Sequence, residues 1–274
     1  MEKFVCAYEN GQTPNPCIDC NRYLKFEKLF LRAKELDYDY VVTGHYAQIV
    51  YEEARGRYLL KKTVDDTKDQ SYVLYTMTQE QLAHTIFPLG GMNKTETRQI
   101  AQAQGFINAK KHDSQDICFV QNGSYADFIE HYRNRHYPEG DFVDVRGNVL
   151  GKHKGIIHYT VGQRKGLGLS LAKPMYVTAV NPVDNTVVLG YDSDLFTKTL
   201  VAKDVNLISA AAIDRPMRVK AKVRYRQEAQ WATAVQTDED TLRLEFDEPQ
   251  RAITKGQAVV MYDGDIVVGG GTIA

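Results

Sequence analysis

The sequence predicts an α/β unit followed by β-rich structure that ends in a small barrel or sandwich, in a chain of two or three domains. Three observations carry this. A helical stretch from Tyr23 leads into the β-rich run Tyr38–Tyr46, interrupted by Gly44, which is one α/β unit. After Gly140 the texture changes to β-like pieces separated by turns. From Arg218 to Arg226, cations alternate with Val219, Ala221, Val223 and Tyr225, the period of a strand with two unlike faces.

Composition bounds the class. The 274 residues are 43% hydrophobic and 25% charged, ordinary for a globular protein. The four cysteines do not make a disulfide scaffold and favour a reducing cytoplasm. No apolar run reaches membrane-spanning length, and no signal peptide is seen. A net charge of −1 gives no global sign of nucleic acid, so any polyanion site must come from local clustering.

Met1 to Tyr8 reads as the close of an element. In the stretch Gly11–Asn21, Pro14 and Pro16 push the residues before them out of the helical region and predict a stiff, exposed loop. That loop carries Cys17 and Cys20. Helix is expected from Tyr23, with Leu24, Leu29, Leu31 and Leu36 set among charges and Asn21 as its N-cap, which places Cys20 at a helix N-terminus. C-x-x-C alone leaves a redox pair, half a metal site, a nucleophile with a bystander, or plain small side chains open. Only Cys6 and Cys118 remain, so a four-cysteine zinc ribbon is not expected.

Thr43, Gly44 and His45 lie at the carboxyl end of the β-run, where open α/β sheets bind ligands. Tyr58–Lys62 suits a strand, Asp65–Ser71 a polar loop, Tyr72–Ala83 a helix, and Lys94 to about Gly105 another, with Ile100, Ala101, Ala103 and Phe106 on its apolar side. Lys110–Phe119 gathers charge, hydroxyl, amide and thiol groups, and Ser124 to about His136 is expected to be helical. Gly162–Gly168 is either a phosphate-cradling loop or a structural turn. Arg218, Lys220, Lys222, Arg224 and Arg226 would spread over roughly 26 Å of one strand face. Such a row suits a polyanion backbone, or a solvated face balanced by Glu245 and Asp247. Asp263-Gly264 marks a hairpin.

Taken together, GQTPNPCIDCN, VVTGHYA, KDQSYVLY, DICF, HYTVGQRKGLG, VRYRQ and KGQAVVMYDGDIVVGGGTI resemble the bacterial tRNA-specific 2-thiouridylase family (MnmA/TrmU) over essentially the whole chain. The resemblance implies a partial ATP-pyrophosphatase-type α/β domain over 1–120, a small central domain over 121–197 and a C-terminal β-barrel over 198–274. It implies a cytoplasmic sulfurtransferase that uses ATP, with Mg2+, to activate C2 of the wobble uridine in tRNAs for Lys, Glu and Gln. Sulfur would come from a sulfur-relay protein, and neither DNA nor membrane is an implied partner. Carried over residue by residue, Cys20 is the nucleophile and Cys118 the persulfide carrier, the two ending as a disulfide. Gly44 matches a nucleotide contact. Asn15, Pro16 and Cys17 match the segment facing the target base, and His45, Lys68, Asp69, Gln70, Arg224, Tyr225 and Gln257 match tRNA contacts. Many members carry Asp where this chain has Cys17. Measured against the family's Ser-Gly-Gly-x-Asp-Ser phosphate loop, the chain is expected to begin inside the nucleotide domain. Two further readings follow: a [4Fe–4S] cluster on Cys17, Cys20 and Cys118, or a tRNA-binding remnant without its ATP loop.

Overall fold

Residues 1–110, 117–120 and 123–274 are described by the structure, a computed structural model. Its first element is a full helix, α1 (Glu2–Glu9), where the sequence suggested only the close of one. Phe4, Val5 and Tyr8 are buried, and they join a core with Ile129, Phe142, Ile157 and Val177 from the middle of the chain.

The cysteine segment is helical earlier than expected. Asn15, not Asn21, is the N-cap: its side chain accepts from Cys17 N at 3.1 Å, and Pro16 sits at the first helical position, where its missing N–H costs nothing. Helix α2 (Pro16–Asp19) runs unbroken into a π-helical segment (Cys20–Lys28) and then α3 (Leu29–Glu35). Asn21 lies inside this helix, buried, and donates to Val73 O at 3.2 Å. Ile18, Phe26 and Phe30 form the buried side, while Leu24, Leu29, Leu31 and Leu36 are exposed.

Strand β1 (Val41–Val42) comes next, then the hairpin β2 (Ala47–Glu52) and β3 (Arg57–Lys62). The helix expected over Tyr72–Ala83 is split. A 3-10 turn (Ser71–Leu74) carries buried Tyr72, Val73 and Leu74, and Thr78 starts a separate α4 (Gln79–Ala83) through a capping box with Gln81. Strand β4 (Thr85–Ile86) pairs parallel with β1, so the expected α/β unit is present. Helix α5 (Lys94–Ala103) is capped by Asn93 and Glu96, but its apolar residues do not make a core: Ile100 and Phe106 are exposed, and none of the helix's residues is buried.

After α6 (Tyr125–Arg133), capped by Ser124, come β5 (Gly140–Asp144), β6 (Val149–His153), β7 (Tyr176–Asn181) and β8 (Thr186–Gly190). They form one sheet in the order β6-β5-β8-β7, with β5 and β8 parallel. The start of the Gly162–Gly168 loop is held on this sheet: Gly162 N donates to Val177 O and Val177 N donates to Gln163 O.

The remaining strands are β9 (Phe196–Leu207), β10 (Met217–Lys222), β11 (Gln230–Asp238), β12 (Thr241–Arg251), β13 (Ala258–Asp263) and β14 (Ile266–Ile273). They run in the order β13-β10-β11-β12-β9-β14, and the β13–β14 pairing closes the ring, so the structure is a barrel and not a sandwich. Its interior is filled by alternate residues such as Val219, Ala221, Leu242, Leu244, Phe246 and Val259. The hairpin turns at Asp263-Gly264 as expected. Strand β3 extends the barrel sheet through Lys61 opposite Ile266, and Tyr72, Leu74 and Phe26 share one core with Val260, Tyr262 and Val267. The α/β unit and the barrel are therefore welded through apolar packing.

The five-cation row is corrected. Strand β10 ends at Lys222. Arg218 and Lys220 lie over the exposed ring of Trp231, and Arg218 makes a two-pronged pair with Asp247 at 2.8 and 2.7 Å. Arg224 lies beyond the strand end and turns inward, and Tyr225 stays partly exposed instead of facing the core.

Candidate functional site

Two of the three candidate thiols share the first turns of one helix. Cys17, held one residue after Pro16, is exposed, and Cys20, at the start of the π-helical segment, is half-buried. Cys118 sits on an exposed turn whose neighbours anchor it: Phe119 lies 5.2 Å from Phe4 and 5.0 Å from Phe128, ring to ring, and Ile117 packs on the same core. Residues 111–116, which include Asp116 of the DICF segment, lie outside the described residues.

Cys20 and Cys118 are each near enough to Cys17 to act on its thiol. The Cys17 thiol is raised above the usual range, first by the packing around it, then by Cys118 and Cys20, while the positive charge of Lys25 pulls it down. All four cysteines are free thiols. Among the described residues, no three His, Cys, Asp or Glu side chains converge closely enough to hold a metal ion. Cys17, Cys20 and Cys118 thus do not form the converging three-thiol set that the [4Fe–4S] reading needs.

Gly44 follows β1, and a side chain there would touch Leu89 Cδ1 at 3.5 Å, so the position is roomy. The next residue, His45, is buried. Its Nδ1 lies 2.7 Å from Thr43 Oγ1 and its Nε2 3.3 Å from Lys25 Nζ. Burial, and then Lys25, push its pKa down to about 4.

The Lys68-Asp69-Gln70 loop is largely spent on its own fold. The Asp69 carboxylate accepts from Ser71 Oγ at 2.7 Å, and Gln70 exchanges two 2.9 Å bonds with the Tyr46 backbone. Tyr225 donates its hydroxyl to Asp69 O at 3.0 Å and so ties this loop to the barrel; burial, then Asp69 and Cys17, raise its phenol above the usual range. Arg224 Nη2 donates to Val161 O, Ala252 O and Thr254 Oγ1 at 3.0, 3.1 and 2.8 Å. Gln257 Nε2 donates to Thr13 O at 2.7 Å, and Thr13 N donates to Lys255 O at 2.9 Å, which seats the cysteine segment on the barrel.

Cys17 thus stands with Cys20, Cys118 and Tyr225 close enough to act on one another through it, Lys25 joins His45 to the same helix, and Gln257 fastens the cysteine segment to the barrel. Two residues escaped the sequence reading. In the sequence Lys25 is one of several helix charges, and Thr13 one residue of the loop before the cysteines. A five-residue spacing between Cys20 and Lys25 carries meaning only once the helix is known to be π-helical.

Three family models match consecutive parts of the chain: a tRNA methyl transferase HUP domain over residues 1–122, a tRNA methyl transferase PRC-barrel domain over 126–191, and an aminomethyltransferase beta-barrel domain over 197–273. The tRNA-specific 2-thiouridylase MnmA of Clostridioides difficile is 54% identical over 273 residues, 100% of this chain and 76% of its own length. The chain belongs to the tRNA-specific 2-thiouridylase family. MnmA 1 of Thermoanaerobacter sp. strain X514 is 53% identical over 100% of this chain and 75% of its own length, and MnmA of Acetivibrio thermocellus is 52% identical over 98% and 75%. The three matched segments follow the α/β, central-sheet and barrel parts of a 2-thiouridylase in order. Among the described residues, no helix is long and apolar enough to cross a membrane.

Proposed function

We propose that this chain replaces the C2 oxygen of a wobble uridine in tRNA with sulfur, in an ATP-dependent reaction carried by Cys20 and Cys118. The observation that bears the weight is that Cys118, from a distant segment, comes near enough to the helix carrying Cys17 and Cys20 to act on the Cys17 thiol. Thr43 and Gly44 fit a nucleotide seat, because a strand end without bulk lets backbone approach a ligand. Bound ATP would supply the adenylyl group that turns a poor leaving oxygen into a good one.

Cys118, exposed on its turn, is placed to receive a persulfide from a sulfur-relay protein. Its terminal sulfur forms the C–S bond as the activated oxygen departs with its electron pair. The Cys20 thiolate then attacks the Cys118 sulfur, forms a Cys20–Cys118 disulfide and frees the thiolated base. A thiol reductant restores both cysteines. The two Cα atoms must come within ~7 Å at that step. The base must also leave the anticodon stack, at a cost of a few kcal/mol. Asn15, Pro16 and Cys17 are proposed to face it, with Lys68, Tyr225 and Arg224 toward the tRNA; the Lys, Glu and Gln isoacceptors and a cytoplasmic setting are proposed with them.

The test incubates the whole chain with tRNA transcript, ATP, Mg2+, glutathione persulfide as the donor of sulfane sulfur and glutathione as the thiol reductant, and reads 2-thiouridine by nucleoside mass spectrometry. Wild type should form it, and Cys20→Ala and Cys118→Ala should not, while tRNA affinity stays within about twofold because neither thiol is a charged phosphate contact. Near-normal turnover in either variant removes that cysteine from the mechanism. No product from wild type sinks the reading.

A further inference from the structure

The chain holds one tryptophan, and it is not in a core. Trp231 precedes Ala232 on β11, and Ala232 fills the barrel interior. The period of a strand therefore turns the indole outward, where Trp231 stays 49% exposed. An indole in this position forgoes the burial that makes such a ring stabilising in a core. Its neighbours are cations. Lys220 stands directly opposite on β10, with Nζ 5.3 Å from the ring centre, and the Arg218 guanidinium lies 5.4 Å from it. Arg218 is fixed there by its pair with Asp247 and by a 3.1 Å bond to Thr233 Oγ1, so ring and cations hold one another in place.

The positive charge continues along β10 toward the thiols. Lys222 lies on the same face, and its Nζ and that of Lys62 stand 5.8 and 4.8 Å from the Tyr262 ring. Of Arg218, Lys220, Lys222 and Lys62, only Arg218 is ion-paired among the described residues. Asp69 and Asp66 act on Lys222 from their loop without pairing with it. The acids Glu245 and Asp247 come from β12, on the far side of β11, so the positive face ends at Trp231. Four residue steps of ~3.3 Å set Lys222 and Arg218 roughly 13 Å apart, the length of a few stacked nucleotides. Beyond Lys222, at the other end, Tyr225 is bonded to Asp69 O in the loop beside the site.

Free ammonium groups in a row suit successive phosphates, and an open indole at the end of the row suits an unpaired base, which offers a π-face whatever its identity. We propose that the outer face of β10 and β11 is an RNA track leading away from the thiols, on which Lys222 and Lys220 meet phosphates and Trp231 stacks on an unpaired base. This deepens the tRNA reading and rests on it.

The sole tryptophan is its own probe. Its fluorescence, excited apart from the tyrosines, is followed on the whole chain as tRNA transcript is added, while filter binding reports affinity. Stacking should quench Trp231 in step with binding and shield it from acrylamide. Trp231→Ala should weaken binding about tenfold and leave the slope of log K against log salt unchanged, because a stacked base releases no counterions. Lys220→Ala should flatten that slope by about one unit, and Trp231→Phe should recover most of the affinity. Thermal melts alongside establish that the variants fold. Bound tRNA with Trp231 still open to acrylamide, or wild-type affinity in Trp231→Ala, overturns the track and leaves the function standing. A shielded Trp231 in a chain that forms no 2-thiouridine keeps the track and overturns only the function. Shielding that grows with protein concentration before RNA is added means that a second copy covers this face, and overturns the track. No tRNA binding at all overturns both.

Discussion

Replacing Arg224 with alanine should loosen the joint between the barrel and the central sheet, and the size of the effect can be worked from its bonds. One nitrogen, Nη2, serves Val161 O, Ala252 O and Thr254 Oγ1 at 3.0, 3.1 and 2.8 Å. It has two N–H groups, so the three contacts amount to about two full hydrogen bonds. Hydrogen bonds from a charged donor are worth about 1.5–3 kcal/mol each. Two considerations favour the lower end. The side chain is only partly buried, so water screens part of the charge. Thr254 Oγ1 also donates to Ala252 O at 2.8 Å, which keeps one acceptor satisfied after truncation. The loss should be about 3 kcal/mol, or roughly 6–12 °C in a chain of this size. Thermal melts followed by circular dichroism measure it, and Arg224→Lys should recover only part, since one ammonium cannot span three acceptors in two segments. A melt within about 1 °C of wild type would refute the idea that Arg224 fastens these units, and would return it to the role of an exposed cation.

Lys62 and Lys222 flank the Tyr262 ring at 4.8 and 5.8 Å, near the Lys68–Gln70 loop, and are expected to meet phosphates. Replacing either with alanine should flatten the slope of log K against log salt for tRNA by about one unit, read by filter binding; an unchanged slope would leave them as solvated lysines. His45 gives a pH dependence whose sign is fixed by its depressed value of about 4. Its unfolded form, with a pKa near 6.5, binds protons that the folded form refuses, so stability is full above about 6.5 and falls as pH drops toward 4, by up to about 3 kcal/mol. Urea midpoints at pH 7 and 5 should diverge less in His45→Gln than in wild type; equal divergence would refute it. Gly256→Ala should destabilise the chain by at least 1 kcal/mol, because Gly256 has φ +84 and a methyl there would press on Gln12 Cβ at 3.1 Å; an unshifted urea midpoint would show that the loop yields.

What the sequence showed follows from how local each signal is. Period-two alternation through Val219 and Ala221 or Leu244 and Phe246 needs only neighbours, and it marked barrel strands whose buried faces the structure places as expected. The same pattern cannot say where β10 stops: Arg224 reads as one more cation of the outer face and Tyr225 as one more core residue, and beyond Lys222 neither placement holds. Asn15 and Asn21 both suit an N-cap by residue type. The choice between them rests on Asn21 reaching Val73 O, a contact across 52 residues. The exposed leucines of the cysteine helix show the same limit, since a mixed run of Leu, Lys and Glu reads as amphipathic whether or not anything covers it. At the site, the C-x-x-C spacing marks Cys17 and Cys20 but leaves their chemistry open, and the roles of Cys20 and Cys118 come from the family resemblance.

The cysteine segment is fastened at Thr13 by every part of the fold. Its backbone N–H goes to Lys255 O and its carbonyl accepts from Gln257, both on the barrel side. Its hydroxyl lies 3.4 Å from Thr160 Oγ1 of the central unit. Two residues earlier, Gly11, with φ +67, passes so close to the central sheet that a methyl group would lie 2.7 Å from Val180 O. Four residues later stands Cys17. A displacement of barrel against central sheet must therefore pull on Thr13, and through the short, proline-stiffened run to Asn15 it must move the thiols as well. A surface that grips an RNA far from the reacting base can in this way set the geometry at the base. Because Gln257 spends its amide on Thr13, a Gln257→Ala variant should lower thiolation more than it lowers tRNA affinity. Losing this one hydrogen bond costs about 1 kcal/mol of hold on the segment, hence several-fold in rate if the clamp is rate-setting. Equal losses in turnover and affinity would instead make Gln257 a plain RNA contact.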